Sequence, residues 1–521
     1  MKRKIKIRDA KGVKEREITY VPMRFALALT IMLFEILAII AVVVALCIYV
    51  PYFYVLAYIT QIVCVLRIIA SDDNPDYKVP WLLFVLILPV AGFMLYFMLY
   101  SRKLPRKHIK RIEELRKKTY TKDDEKEFIT LKEKDGVASS HAKMLCGIAE
   151  THLFYGKNQK YFPSGEELFS IMLEDLKKAE KFIFMEYFII EEGELWNSIL
   201  EILKEKADKG VEVKIVYDDV GCMTTLPGNY AKKLKKYGIN ATCFARLKGQ
   251  ANNEFNNRSH RKITVIDGVI GYTGGANIAD EYVNKKTRFG HWKDSGIRIE
   301  GEAVHELTEL FLGDYSFNVK EIPEPEHDYY PTTTTEKVDG YLIPFGDGPN
   351  PLYKTRASKN VVQNMLSVAS EYAYLTTPYL IIDNDLCNSI ENAALRGVDV
   401  KIILPHVPDK KLVFWITQSY YKRLMKAGVE IYEYTPGFIH AKNYVVDGKY
   451  AMVGTVNLDY RSLAHHFENA VWLYECECIK DVKKDIDQTL EQCIRIKEDT
   501  KKNGVIKSFV RAIIKIFAPL M

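Results

Sequence analysis

Two stretches of the chain, "HRKITVIDGVIGYTGGANIADEY" starting at His260 and "HAKNYVVDGKYAMVGTVNLDYRS" starting at His440, share one frame: H-x-K, four residues, D, six residues, G, two residues, N. These are residue types suited to phosphate chemistry. An imidazole attacks phosphorus or carries a proton, an ammonium neutralises charge, and an amide donates a hydrogen bond. A phosphodiester needs one nucleophile and one acid for its leaving oxygen, and two copies supply both. A lone histidine on a strand is usually structural. Here the whole frame recurs 180 positions later in otherwise diverged sequence, and that repetition argues for function.

The spacing suggests how the groups meet. Residues i and i+2 of a strand share a face, which puts His260 with Lys262 and His440 with Lys442. Asp267-Gly268 and Asp447-Gly448 suit two-residue hairpin turns. Such a turn pairs Val446 with Lys449, sets His440 opposite Thr455 and His260 opposite Gly275, and leaves Asn277 and Asn457 just beyond. Each copy thus gathers an imidazole, an ammonium and an amide as a small anion site. Asp267 and Asp447 belong to the motif, yet their place in the turn suits fixing the turn or pairing with a basic group.

The elements around these motifs also repeat. "VEVKIVYDD" (211–219) matches "VDVKIILPH" (398–406), and "EYFII" (186–190) matches "PYLII" (378–382). The first pair reads as buried strands. Each half opens with a helix: Ser164 to Glu167 form a capping box ahead of Leu168, Met172, Leu176 and Ala179, and Val362, Leu366 and Ala369 repeat the spacing. Alternating helices and strands predict an α/β fold of two duplicated sandwich halves around one shared site. Expected spans are 1–100 membrane region, 101–150 basic connecting helix and loop, 151–335 first half, 336–500 second half and 501–521 tail. The Pro/Thr-rich stretch 322–340 serves as linker.

Of the 521 residues, 48% are hydrophobic and 27% charged, which excludes a disordered chain. The nine cysteines form neither a disulfide framework nor a zinc-spaced set, and Cys476 and Cys478 read as two positions on one strand face. Three apolar runs open the chain: Phe25–Val50, Tyr52–Ala70 and Pro80–Tyr100. The first and third reach the roughly 20 residues a membrane helix needs, and the second is marginal. Lys and Arg flank both ends of this region, so residue 1 and residues 101–521 are expected in the cytoplasm, which requires an even number of crossings. The run 52–70, shortest and carrying Arg67, is the expected exception. The tail 505–519 places Val505, Phe509, Ile513 and Phe517 at steps of four, with Lys507, Arg511 and Lys515 likewise, and suits a membrane-surface helix or one packed on the body.

The paired frames resemble the phospholipase D superfamily over roughly residues 150 to 500. "NRSHRKITVIDGVIGYTGGANIADEY", "FIHAKNYVVDGKYAMVGTVNLDYRSL" and "DDNPDYKVPWLLFVLILPVAGFMLY" resemble its bacterial cardiolipin synthase branch. That resemblance implies phosphatidyl transfer between two phosphatidylglycerols, giving cardiolipin and glycerol, with His260 as nucleophile and His440 as acid/base. Lys262, Lys442, Asn277, Asn457 and Thr455 would serve the phosphate. Asp294 and Glu468, each downstream of a motif histidine, would orient the imidazoles. It implies no cofactor and no metal, a bilayer-bound multi-pass protein and no nucleic-acid partner. It also favours 52–70 as a true span, against the argument from charge. His465-His466 beside Glu468 read as a loop at the site mouth, and His291-Trp292 as a loop before Asp294 lining the lipid path. A hydrolase, transfer to another alcohol, a nuclease and a non-catalytic scaffold are the alternatives. The membrane helices disfavour a nuclease, and the intact frames disfavour a scaffold.

Overall fold

The computed structural model describes residues 2–9, 12–19, 23–50, 52–99, 106–116, 122–246, 256–317, 319, 329–333, 339–497 and 514–520. Most of the linker 322–340 lies outside these residues, as do Val505, Lys507, Phe509, Arg511 and Ile513 of the tail.

Two sheets carry the fold. The first is seven-stranded, in the order Lys160–Phe162, Gly296–Glu300, Ile270–Gly274, Lys262–Ile266, Phe182–Tyr187, Glu212–Asp218, Asn240–Phe244. The second is nine-stranded, and its central order repeats the first: Glu468–Tyr474, Tyr450–Gly454, Asn443–Val446, Tyr372–Thr376, Asp399–Pro405, Glu430–Tyr434. The matched segments 211–219 and 398–406 therefore contain equivalent inner strands, parallel to Phe182–Tyr187 and Tyr372–Thr376 respectively. Phe154–Tyr155, inside the span expected for the first half, instead pairs with Tyr341–Asp347 and extends the second sheet.

Alternation along the strands explains why they are apolar on both faces. Phe182 and Phe184 pack into the core shared by the two sheets, whereas Ile183 and Met185 pack under helices Gly165–Leu176 and Glu194–Asp208. Val445 faces the shared core, while Tyr444 and Val446 face outward. Helices Val304–Tyr315 and Cys478–Leu490 add Phe311 and Ile486 to that shared core. Ser164 caps its helix as the capping box anticipates, accepting from Glu167 N at 3.2 Å. Among its described residues the segment 101–150 contains three helices, Arg106–Arg116, Glu125–Lys134 and Gly136–Ala149, rather than one. Cys476 and Cys478 do not share a strand face. The strand ends at Tyr474 and Cys478 begins the next helix.

The N-terminal region contains helices α1 (Met23–Tyr49), α2 (Phe53–Ala70), α3 (Pro75–Ile87) and α4 (Pro89–Leu99). Only α1 and α2 are long and apolar enough to cross a bilayer, among the described residues. Phe53–Ala70 is one continuous helix, and the expectation that 80–100 forms one long helix is corrected: the chain breaks at Leu88-Pro89. Proline has no N–H to continue the ladder. Of the tail, Ile514 to Leu520 is described. Phe517 packs on Phe84 at 5.4 Å between ring centroids, and Ala518 is buried in the core of the second half.

Candidate active site

The hairpins that carry the motifs differ by one residue from the expected register. Asp267 and Gly268 take left-handed backbone (φ 53° and 68°), as do Asp447 and Gly448 (φ 51° and 64°). Only glycine adopts this conformation freely, and Asp tolerates it. Yet Ile266 pairs with Ile270, and Val446 with Tyr450 rather than Lys449. Val269 and Lys449 are extra residues on the returning strands, so the placements opposite Gly275 and Thr455 do not hold. The histidines also stand just outside their strands, which begin at Lys262 and Asn443.

Contacts between the two halves fix the histidines instead. His260 N donates to Phe467 O at 2.8 Å, and His440 N donates to Lys293 O at 2.7 Å. Each acceptor immediately precedes a carboxylate, so each imidazole meets the carboxylate of the opposite half. His260 Nδ1 lies 2.9 and 3.0 Å from the Glu468 oxygens, and His440 Nδ1 lies 2.8 Å from Asp294 Oδ2. A pairing of each histidine with the carboxylate downstream in its own half is thereby corrected. His291–Lys293 is not a loop but a strand, parallel to Gly437–Ile439, and it carries the cross-connection.

The surroundings hold this arrangement rigidly. Arg258 forks onto Asp218 at 2.9–3.1 Å, and Arg261 pairs with Asp314 at 3.0 Å, both fully buried around His260. Glu468 accepts from Thr455 Oγ1 and, at 2.5 Å, from Ser462 Oγ. Thr455 therefore orients a carboxylate, contrary to the expected phosphate contact. Asp294 accepts from Trp292 Nε1 at 3.2 Å and Ser295 N at 3.0 Å. In the first half Gly275 stands where the second has Thr455, and a Cβ there would run into Asp294 and the His440 carbonyl.

Lys262 and Lys442 are buried, and each ammonium donates to the carbonyl of its motif histidine, Lys262 at 2.7 Å. Burial pushes Lys262 down to about 7 and Lys442 to about 8. Burial, then the charges of Lys262 and Lys442, holds His260 well below the ordinary imidazole range. Burial and Lys442 bring His440 to about 4, against the opposing charge of Asp294. Asp294 itself stays low: its burial is outweighed by the charge and hydrogen bond of His440. Each imidazole thus has Nδ1 engaged by a carboxylate and Nε2 left for chemistry.

The remaining candidates divide. Asn277 is committed on both ends, accepting from Ile189 N at 3.0 Å and donating to Tyr282 OH at 2.8 Å, which leaves one N–H. Asn457 Oδ1 is buried without a hydrogen-bond partner. Asp267 and Asp447 are not at the imidazoles. Each sits at the far end of its strand and binds three successive backbone N–H groups at 2.8–2.9 Å: residues 180–182 for Asp267 and 370–372 for Asp447. Their role is structural.

Two neighbours, Phe188 and Tyr282, carried no flag in the sequence, whereas Trp292 and His466 fall in the two stretches already singled out beside the carboxylates. Phe188 lies 5.3 Å from the His260 ring, and its place in the repeated "EYFII" was the available signal. Tyr282 and Trp292 lie 5.7 and 5.3 Å from the His440 ring. His466 lies 5.5 Å from the His260 ring, and burial presses it to about 3. It occupies, two residues before Glu468, the place Trp292 takes before Asp294. His260, His466 and Glu468 offer ligand atoms within 4.8 Å of one another, a spacing a metal ion could use. Glu468, however, is already engaged by Thr455, Ser462 and His260.

The chain matches the family described as "Cardiolipin synthase, PLD-like domain" over residues 172–312 and 362–490, and "Phospholipase_D-nuclease N-terminal" over 59–99. A cardiolipin synthase of Halalkalibacterium halodurans is 33% identical over 87% of this chain and 90% of its own length. An uncharacterised Streptococcus mutans protein is 39% identical over 88% and 99%. The solved phosphatidylserine synthase of Haemophilus influenzae shares the fold, with a TM-score of 0.55 at 16% identity over 73% of this chain and 97% of that one. Two repeated halves that exchange carboxylates across one pair of histidines, together with these matches, identify the chain as a member of the cardiolipin synthase family of phospholipase D-like proteins.

Proposed function

We propose that this protein transfers a phosphatidyl group from one phosphatidylglycerol to another, giving cardiolipin and glycerol. The observation that carries the reading is the pair of imidazoles, each held at Nδ1 by a carboxylate from the other half. His260 Nε2 attacks the phosphorus of the first lipid. The bond from phosphorus to the glycerol oxygen breaks, and His440 gives that oxygen its proton. The anionic diester offsets the lysine charges that lower the basicity of His440, and Asp294 supports the imidazolium that donates. In the second step His440 removes the proton from a hydroxyl of the second phosphatidylglycerol. That oxygen attacks the phosphohistidine and frees His260. Lys262 and Lys442 hold the phosphoryl oxygens, where charge builds in each transition state.

Because the two ammonium groups supply the charge a divalent ion would bring, we assign no metal to the reaction. We infer a cytoplasmic catalytic part, a reading supported by the Lys and Arg that flank the apolar region. The test is the lipid product made from labelled phosphatidylglycerol in membranes carrying the full-length protein. Labelled cardiolipin and free glycerol are expected. Phosphatidic acid as the sole product would make the protein a hydrolase.

A further inference from the structure

We infer that α3 and α4 form a hairpin inserted only part-way into the leaflet on the catalytic side, so that α1 and α2 are the two crossings. The inference concerns the membrane seat and does not rest on the catalytic reading.

The first evidence is the reversal between the two helices. In a straight helix Trp81 and Tyr96 would stand about 22 Å apart along the axis. Their rings instead meet edge to face at 5.7 Å. Gly92 lies so close to the preceding helix that a Cβ there would collide with the backbone of Phe84 and Val85. The chain therefore folds back on itself. Thirteen residues in α3 and eleven in α4 give about 20 and 16 Å of helix, against about 30 Å of hydrocarbon. Neither alone reaches across.

The second evidence is how the break is satisfied. Pro89 offers no N–H, so the carbonyl four residues earlier, Val85 O, loses its helical donor. Irregular backbone at membrane depth persists only where other protein groups satisfy it. Gln61 on α2 is buried, and its Nε2 donates to Val85 O at 2.8 Å and to Leu86 O at 3.4 Å. A polar side chain in the middle of an apolar helix is thus matched to the turn. Cys64 and Ile68 of α2 pack in one apolar cluster with Trp81, Val85 and Tyr96 of the hairpin.

The third evidence fixes the side. The connection between α2 and α3 is docked on the catalytic body. Asn74 Nδ2 donates to Asp383 at 2.7 Å, Asp76 accepts from Asn384 N at 2.9 Å and Tyr460 OH at 3.2 Å, and the Tyr77 ring packs on Tyr460 at 5.1 Å. Helix Tyr460–Ala464 carries Ser462, which holds Glu468. The hairpin's partner is the lipid leaflet that faces the active site. A hairpin returns the chain to the side it left, so α4 ends where the catalytic body begins. Two crossings also satisfy the basic residues at both ends of the region.

Single cysteines in a cysteine-free full-length protein test this by impermeant maleimide labelling. Tyr49→Cys reports the turn after α1, Asp72→Cys the turn after α2, and Lys110→Cys the helix following α4. Tyr49→Cys is expected to label in intact cells, with the other two protected until the membrane is opened. Asp72→Cys and Lys110→Cys on opposite faces would make the 80–100 region a crossing and overturn the inference. Tyr49→Cys labelling together with Asp72→Cys would mean α2 does not cross, and overturn it equally. Tyr49→Cys protected with the other two labelled would support the hairpin but refute the cytoplasmic placement of the active site.

Discussion

Glu468→Gln should disable His260, although the two residues belong to different halves and stand 208 positions apart. The glutamine keeps the shape but removes the charge that supports positive charge on the imidazole and selects its tautomer. At the 2.9 Å separation observed, two unit charges in an effective dielectric of about 20 interact by ~6 kcal/mol, a ceiling for the loss. Orienting carboxylates in comparable histidine sites are worth about 10⁴ in rate, or ~5.5 kcal/mol. A fall in kcat of about 10³ to 10⁴ is expected. Asp294→Asn should cost a similar amount but at His440. A phosphatidyl donor with a p-nitrophenol leaving group separates the two, because its departure needs no acid. Asp294→Asn should then give a burst of one p-nitrophenol per enzyme and stall with a covalent adduct, as His440→Ala would. Glu468→Gln and His260→Ala should give no burst. The reverse pattern would refute the crossed pairing and the assignment of His260 as nucleophile.

Gly275→Ala should mimic Asp294→Asn, losing about 10²-fold or more in turnover while keeping the burst, since its Cβ displaces the partner of His440 rather than that of His260. Asp447→Ala removes the acceptor of three backbone N–H groups. It should lower stability by about 2 kcal/mol in a melting assay, with kcat of the folded protein changed less than about threefold. The unliganded protein should lose stability as the pH falls from 6.5 toward 4. Over that window unfolded His440 takes a proton that the folded state, at about 4, refuses. Melting curves of solubilised protein between pH 5 and 8 would show it, and a midpoint that rises on acidification would contradict it. Activity should survive exhaustive chelation; loss restored by one divalent ion would overturn the metal-free reading and implicate His260, His466 and Glu468.

Much of the site was legible because it is written in local spacing. His260, Lys262, His440 and Lys442 are recoverable from the frame, and the α/β halves from the alternation of buried strands and capped helices. What escaped depends on contacts distant in sequence. Nothing local to Asp294 says that it serves His440, since that pairing is made by parallel strands His291–Lys293 and Gly437–Ile439 meeting across the halves. The register slipped because a single unpaired residue after each Asp-Gly turn leaves no compositional trace. Hydropathy counted Pro80–Tyr100 as one long run because it weighs apolar character and not the missing N–H of Pro89. Gln61, the donor that stabilises the break, reads in isolation as a polar blemish in an apolar helix.

The exchange of carboxylates also orders the birth of the enzyme. As the chain leaves the ribosome, His260 emerges with its lysine and its hairpin but without Glu468. At about 5–20 residues per second the missing partner follows some ~10–40 s later. Until then, if His260 is the nucleophile we propose, it has no charge to support it and no general acid beside it. A truncated or stalled chain would then lack the groups to act as a stray lipase. On the proposed roles, reactivity toward lipid arises only when the second half of the polypeptide has folded against the first.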